Sequence, residues 1–122
     1  MEILILILCS VVLGSLGQIT LKVAMNRIGE LSVQSLSQLF GVVAKLATTP
    51  LVIFGLALYG IAAVMWLMVL SKADLSFAYP MYSLSFVVVV FLSTVFLGES
   101  VSLVRWLGVG IICLGVILIS RS

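Results

Sequence analysis

Polar and small residues recur at intervals of four along the first apolar stretch of the chain. The positions that share this face of a helix are Ser10, Gly14, Gln18 and Lys22. Side chains four residues apart are neighbours on a helix surface, so these positions form one stripe. An amide followed by a cation would suit a cavity that ends in a contact for an anionic group. A packing face that ends in a lysine reaching for the membrane interface explains the same pattern. We favour a cavity for Gln18 and leave both interpretations open for Lys22.

A second polar and aromatic group surrounds a proline in the third apolar stretch. Pro80 has no N–H to donate, so it should kink the helix that contains it. The carbonyl groups freed by a kink need partners or a cavity. The side chains that share the face beside this kink are Tyr79, Tyr82, Ser83 and Phe86. They would suit an aromatic belt at the membrane interface or a substrate cavity, and we favour the cavity.

Two further features, one in the second stretch and one in the fourth, bear on packing and binding. Trp66 lies well inside the second apolar stretch, where it would be either a packed aromatic or part of a cavity wall. In the fourth stretch, Gly108 and Gly115 are two helical turns apart, with Ile112 between them on nearly the same face. Small residues allow helices to approach closely, so this face predicts a helix–helix contact. Spacing alone does not decide whether the contact forms within one chain or between two.

The charged residues exclude several classes of function. Every acid lies at the end of an apolar stretch or in a connection, the four being Glu2, Glu30, Asp74 and Glu99. A proton-coupled exporter of organic cations needs a titratable acid near the membrane midplane, and this sequence has none there. No nucleophile–base arrangement suggests an enzyme, and no basic patch suggests nucleic acid. The chain has no His, and Cys9 and Cys113 lie in apolar runs, so we predict neither a metal site nor a cofactor.

The elements that must position these residues are membrane-spanning helices. The chain is 64% hydrophobic and 8% charged, whereas soluble domains are about 25% charged. A helix needs roughly 20 residues to cross a hydrocarbon core of about 30 Å. We predict an all-α, integral membrane four-helix bundle that forms a single domain over residues 1–122. Its spans are expected at about 3–25, 50–71, 75–97 and 101–120. Apolar residues at helical spacing predict a short amphipathic helix at the membrane surface over 32–46, between spans one and two.

Several short motifs, in this order, resemble the drug/metabolite transporter superfamily. They are Gly17-Gln18 with Lys22, the region of Trp66, Ala78 to Ser83, Gly98-Glu99, and Trp106-Leu107-Gly108 with Gly115. The four-helix members match best: the small multidrug resistance transporters and the EamA-like small subunits of lipid-linked aminoarabinose flippases. Multidrug members carry an essential Glu in the first span, and that position is Gly14 here. The flippase branch resembles the Gly-Gln and Ala-Tyr-Pro patterns of this chain.

The resemblance implies that the chain flips an undecaprenyl-phosphate-linked sugar across the bacterial inner membrane as a homodimer or heterodimer. The dimer contact would involve Gly108, Ile112 and Gly115. Lys22, or Arg27 near it, would meet the phosphate. The other substrate-binding residues would be Gln18, Trp66, Tyr79, Tyr82 and Ser83, and rocking of one subunit against the other would give alternating access.

Two alternatives remain at this point. The chain would be an exporter of small cations or metabolites of the multidrug type, or a non-transporting partner subunit of a membrane complex. The sequence does not decide the substrate, the energy source, the identity of the dimer partner or the orientation in the membrane.

Overall fold

The computed structural model describes residues 2–29 and 34–122, and these fold into helices joined by short connections. The helices are α1 (Glu2–Ile28), α2 (Leu36–Ala47), α3 (Pro50–Leu70), α4 (Leu75–Tyr82), α5 (Leu84–Phe96) and α6 (Leu103–Ser120). Four segments, namely α1, α3, α4 together with α5, and α6, are long and apolar enough to cross a membrane, whereas α2 is shorter. The predicted all-α membrane fold is therefore confirmed. That the chain forms a single domain remains a prediction.

Local signals account for the helix ends. Pro50 occupies the first turn of α3, where its fixed φ suits a helix and its missing N–H costs nothing. Ser35 and Ser102 cap α2 and α6, because each hydroxyl accepts a backbone N–H of the first turn, at 3.4 Å and 3.3 Å. Gly98 follows α5 with φ of 66°, a left-handed conformation that favours glycine.

The short helix α2 differs in its start from the prediction over 32–46. It runs from Leu36 to Ala47, and Ser32 and Val33 lie outside the described residues. None of its residues is buried, and most of its large apolar side chains, including Phe40 and Val43, are exposed. A helix too short to span the bilayer that presents an apolar face outward suits a position at the membrane surface.

The third span is divided at Ser83, which ends α4 and begins α5. Pro80 cannot donate to the preceding turn, so the regular hydrogen-bond ladder is lost there. The Ser83 N–H instead donates to the Pro80 carbonyl, and the Phe86 N–H donates to the Ser83 carbonyl, both at 3.0 Å. The third span is thus interrupted about one turn after the proline, in the region where a kink was predicted.

Helices α1 and α3 form the tightest pair. A Cβ added to Gly17 would lie 3.0 Å from the Gly55 carbonyl oxygen and 3.1 Å from the Tyr59 nitrogen. The two backbones are therefore as close as glycine allows. About two turns earlier on α1, the Ser10 hydroxyl donates to the Ala62 carbonyl at 3.0 Å. This bond crosses the interface and ties the middle of α1 to the middle of α3.

A small apolar core joins four of the helices at one end of the bundle. Its buried members are Ile7, Val11, Val69, Ala78, Met81 and Val116. Helix α6 packs mainly on α4 and α5 and leaves much of its surface free, with Leu103 and Val104 about three-quarters exposed (75% and 76%). In a membrane such side chains face lipid, so their exposure has no hydrophobic cost.

Candidate functional site: a cavity at the middle of the spans

A cavity of about 730 Å³ lies between α1, α3, α4 and α5. On α1 it is lined by Gly14, Ser15 and Gln18, which lie at the middle of a helix that extends from Glu2 to Ile28. The cavity therefore lies near the centre of the spans. Gln18 is exposed and Tyr79 is 66% exposed, so the cavity is open on the side where these two side chains lie.

The structure brings together all the predicted substrate contacts except Lys22. The cavity-lining members of that set are Gln18, Trp66, Tyr79, Tyr82 and Ser83. Lys22 is exposed and lies one helical turn beyond Gln18, about 6 Å along the axis of α1. The binding roles of all six residues remain predictions, and Lys22 is placed beyond the cavity rather than in its wall.

Aromatic rings form one wall of the cavity. The Trp66 ring lies 4.8 Å from the Tyr82 ring, centroid to centroid, with 58° between the planes. It also meets the Tyr79 ring edge-on at 6.3 Å. Trp66 and Tyr82 pack in addition against the apolar core. Both sequence interpretations of Trp66 therefore describe part of its environment, because the indole is packed and also lines the cavity.

The position of the Tyr82 hydroxyl requires a glycine on the facing helix, α1. A Cβ added to Gly14 would lie 2.7 Å from the Tyr82 Oη and 3.7 Å from the Ala62 Cβ. A side chain at position 14 would therefore displace the phenol. The hydroxyl of Tyr82 therefore lies beside position 14, where the first span carries a glycine and no acid.

Three serines line the cavity, and only one of them was predicted to do so. Ser83 donates to the Pro80 carbonyl, so its oxygen remains free to accept. Ser15 and Ser85 also line the cavity, and neither was predicted to do so. Ser15 precedes Gln18 by three residues, and residues three apart share a helix face, so the same rule would have found it. Ser85 lies after the break at Ser83, and the sequence pattern did not reveal how α5 is oriented.

The cavity has little means of holding an ion by charge. None of its lining residues, among those the structure describes, is charged. Within residues 2–29 and 34–122, no group of His, Cys, Asp and Glu side chains is arranged to hold a metal ion. Cys9 and Cys113 are free thiols. The chemistry available is therefore hydrogen bonding by hydroxyl and amide groups, together with contacts to aromatic faces.

The two glycines of the predicted contact face of α6 have no close neighbour in the described part of the chain. A Cβ added to Gly108 or Gly115 would meet nothing within 4 Å. Ile112, between them, instead packs partly against the chain's own apolar core. The predicted role of these residues in a dimer contact remains a proposal.

Comparison with curated proteins finds relatives with a shared description. A protein of Yersinia pestis (strain Pestoides F) and one of Yersinia pseudotuberculosis (strain YPIII) are each 43% identical over 61 residues, 50% of this chain and 54% of theirs. One from Aeromonas hydrophila is 38% identical over 71 residues, 58% of this chain and 62% of its own. All three are named "Probable 4-amino-4-deoxy-L-arabinose-phosphoundecaprenol flippase subunit ArnE". The matched region thus spans a little more than half the length of these relatives.

The family comparison covers much more of the chain. No solved structure matches the protein. The model of the EamA-like transporter family matches residues 1–121. Together with four helices able to cross a membrane, this match identifies a multi-pass membrane transporter, and the chain belongs to the EamA-like transporter family.

Proposed function

We propose that this chain is one subunit of a flippase that carries an undecaprenyl-phosphate-linked 4-amino-4-deoxy-L-arabinose across the bacterial inner membrane. The observation that carries the proposal is the cavity at the middle of the spans, with hydroxyl, amide and aromatic groups in its wall. The names of the similar proteins from Yersinia and Aeromonas supply the substrate.

The wall of the cavity suits a sugar ring. Gln18, Ser83 and the tyrosine hydroxyls offer hydrogen-bond donors and acceptors to ring hydroxyls. The faces of Trp66 and Tyr79 offer apolar surfaces to the ring carbons and to an amino group. A cavity of about 730 Å³ is also within the range of small-molecule sites, about 300–1,000 Å³. The polyprenyl chain would stay in the lipid.

The phosphate would lie at the edge of the cavity rather than inside it. None of the described lining residues carries a positive charge. Lys22 lies about 6 Å further along α1 than Gln18, which is comparable to the width of a sugar ring. With the sugar held at Gln18, the Lys22 ammonium would meet the phosphate where the span approaches the membrane surface.

Two subunits would complete the site. One chain leaves the cavity open beside Gln18 and Tyr79, and a second four-helix chain, identical or related, would close it. The face of α6 that contains Gly108 and Gly115 would provide the contact, because it offers space for close approach. Rocking of the subunits about the enclosed head group would give alternating access.

Export of small cations by the multidrug mechanism fits these contacts less well. It requires an acid in the first span, and the space at Gly14 is taken by the Tyr82 hydroxyl. The cavity wall offers no other carboxylate among its described residues.

Flipping of the labelled glycolipid in vesicles tests the proposal. Proteoliposomes would hold the chain alone or with a second four-helix subunit that co-purifies with it. We expect flipping that falls at least tenfold in Gln18→Ala and stays unchanged in Thr94→Ala, whose hydroxyl bonds only within its own helix. Proton-dependent export of an organic cation without lipid flipping would overturn the proposal. Activity that resides wholly in the second subunit would identify the chain as a non-transporting partner.

A further inference from the structure

The hydroxyl of Ser15 is the one buried side-chain polar group in the described part of the chain with no hydrogen-bond partner. Ser15 is 0% exposed and belongs to the cavity wall. A buried hydroxyl without a partner loses the hydrogen bonds that water would supply, and native structures rarely leave such groups unsatisfied.

Several other hydroxyls on these helices are satisfied within their own helix. Ser93, which is also buried, donates to the Val90 carbonyl at 2.8 Å, and Thr20 donates to the Leu16 carbonyl at 2.8 Å. Such back-bonding is the usual arrangement for a serine or threonine inside an apolar helix. Ser10 makes its bond across the interface to α3 instead. Ser15 does neither, although its own helix offers it a carbonyl one turn earlier.

From the cavity position and the missing partner together, we infer that Ser15 binds substrate. Its hydroxyl forms a hydrogen bond with an uncharged hydroxyl group of a ligand bound next to α1. The inference rests on the proposed function and deepens it, because it assigns the contact to a ring hydroxyl of the sugar and not to the phosphate. An ionic group would need a countercharge, and none of the described lining residues supplies one.

The sugar in the proposed substrate, 4-amino-4-deoxy-L-arabinose, has few uncharged hydroxyl groups that could form this hydrogen bond with Ser15. Its amino group occupies carbon 4, and the phosphate occupies the anomeric carbon. The free hydroxyls of the six-membered ring are therefore those on carbons 2 and 3. Ser15 would contact one of these two, so deletion of that hydroxyl and deletion of the serine hydroxyl should remove the same hydrogen bond.

Tryptophan fluorescence can report binding directly. The chain has two tryptophans, and Trp106 packs against Phe91 away from the cavity, at 5.1 Å between ring centroids. In a Trp106→Phe background, Trp66 in the cavity wall is the only reporter. The protein, with its co-purifying subunit if it has one, would be titrated in lipid nanodiscs. The probes would be the aminoarabinose lipid, its 2-deoxy and 3-deoxy analogues, and bare undecaprenyl phosphate.

We expect Ser15→Ala to raise the Kd for the aminoarabinose lipid about two- to tenfold, the effect of one hydrogen bond. To the wild type, one of the two deoxy analogues should bind more weakly than the complete lipid, by a similar factor. To Ser15→Ala, the same analogue and the complete lipid should bind equally well, because the hydrogen bond is already lost. Ser93→Ala should leave every Kd unchanged, and the bare lipid should bind wild type and Ser15→Ala equally.

Three results would overturn the inference. An unchanged Kd in Ser15→Ala would do so while leaving the proposed function intact. The inference would also be overturned if, for both deoxy analogues, the loss of affinity from Ser15→Ala simply added to the loss from the missing sugar hydroxyl. Ser15 would then act through packing alone. Failure of the wild type to bind the aminoarabinose lipid more tightly than the bare lipid would overturn both the inference and the proposed substrate.

Discussion

The phenolic oxygen of Tyr82 lies in the space that a side chain at position 14 would need, 2.7 Å from where a Cβ on Gly14 would be. The glycine of α1 and the tyrosine of α4 are therefore matched across the cavity. On its other side, the Tyr82 ring lies 4.8 Å from the Trp66 ring, centroid to centroid.

Substitution of Gly14 by Ala should therefore destabilise the protein through Tyr82. We expect Gly14→Ala to lower the free energy of unfolding by about 1–3 kcal/mol relative to Gly60→Ala, as overpacking does. Gly60 is the matched control, because a Cβ there would meet nothing within 4 Å. Reversible unfolding in mixed detergent micelles measures the difference. Tyr82→Phe removes the clashing oxygen and should reduce the cost of Gly14→Ala. Equal costs with and without that oxygen would contradict the proposed contact.

The close approach of α1 and α3 predicts a different response at two glycines. At Gly17 the obstructing atoms are backbone atoms of α3, which cannot move aside, whereas at Gly55 the nearest atoms belong to the Leu21 side chain, 2.9 Å away. Gly17→Ala should therefore destabilise by about 2 kcal/mol or more. Leu21→Ala should relieve part of the clash in Gly55→Ala, because the Leu21 backbone nitrogen remains 3.2 Å away. It should leave the cost of Gly17→Ala unchanged, as measured by thermal unfolding of the double variants. Relief at both positions would show that the helices are not in backbone contact.

Loss of the Lys22 charge should weaken binding of the phosphate group. Because Lys22 is exposed, its contribution is reduced by solvent, and we expect Lys22→Ala to raise the Kd for bare undecaprenyl phosphate about two- to fivefold at low salt. The difference should shrink at high ionic strength, where exposed charges are screened. Lys45→Ala on α2 is the control and should bind as wild type does. A salt-independent loss, or an equal loss in both variants, would argue against a phosphate contact at Lys22.

A bulky residue on the free face of α6 should disrupt subunit association. Gly115→Leu would prevent close approach of a second chain, whereas Gly110→Leu projects from a different side of the same helix. A Cβ meets nothing within 4 Å at either position, so neither change should disturb the fold of one chain. Single-molecule counting of subunits in lipid should show fewer dimers for Gly115→Leu and a normal number for Gly110→Leu. Undiminished association of Gly115→Leu would exclude this face as the contact.

The general architecture follows from the sequence because lipid imposes simple requirements. Apolar stretches interrupted by a few charges must become helices that satisfy their own backbone hydrogen bonds. Pro80 predicted an irregularity in the third span, since a missing N–H is a local property, and the helix is interrupted nearby at Ser83. Gln18 was recognised as part of a cavity because it is an amide in an apolar run, and such groups are rarely placed there without a use.

What only the tertiary structure decided is how the faces of different helices meet. Helical spacing places Gly14 and Gln18 on one stripe of α1, but it does not reveal that Tyr82 fills the space beside Gly14. It does not separate Ser15, which lacks a partner, from Ser93, which bonds to its own helix. It left open whether Lys22 belongs to the cavity, and the structure places this residue one turn beyond Gln18, outside the lining. Such facts depend on the distance and rotation between helices, which are set by contacts far apart in the sequence.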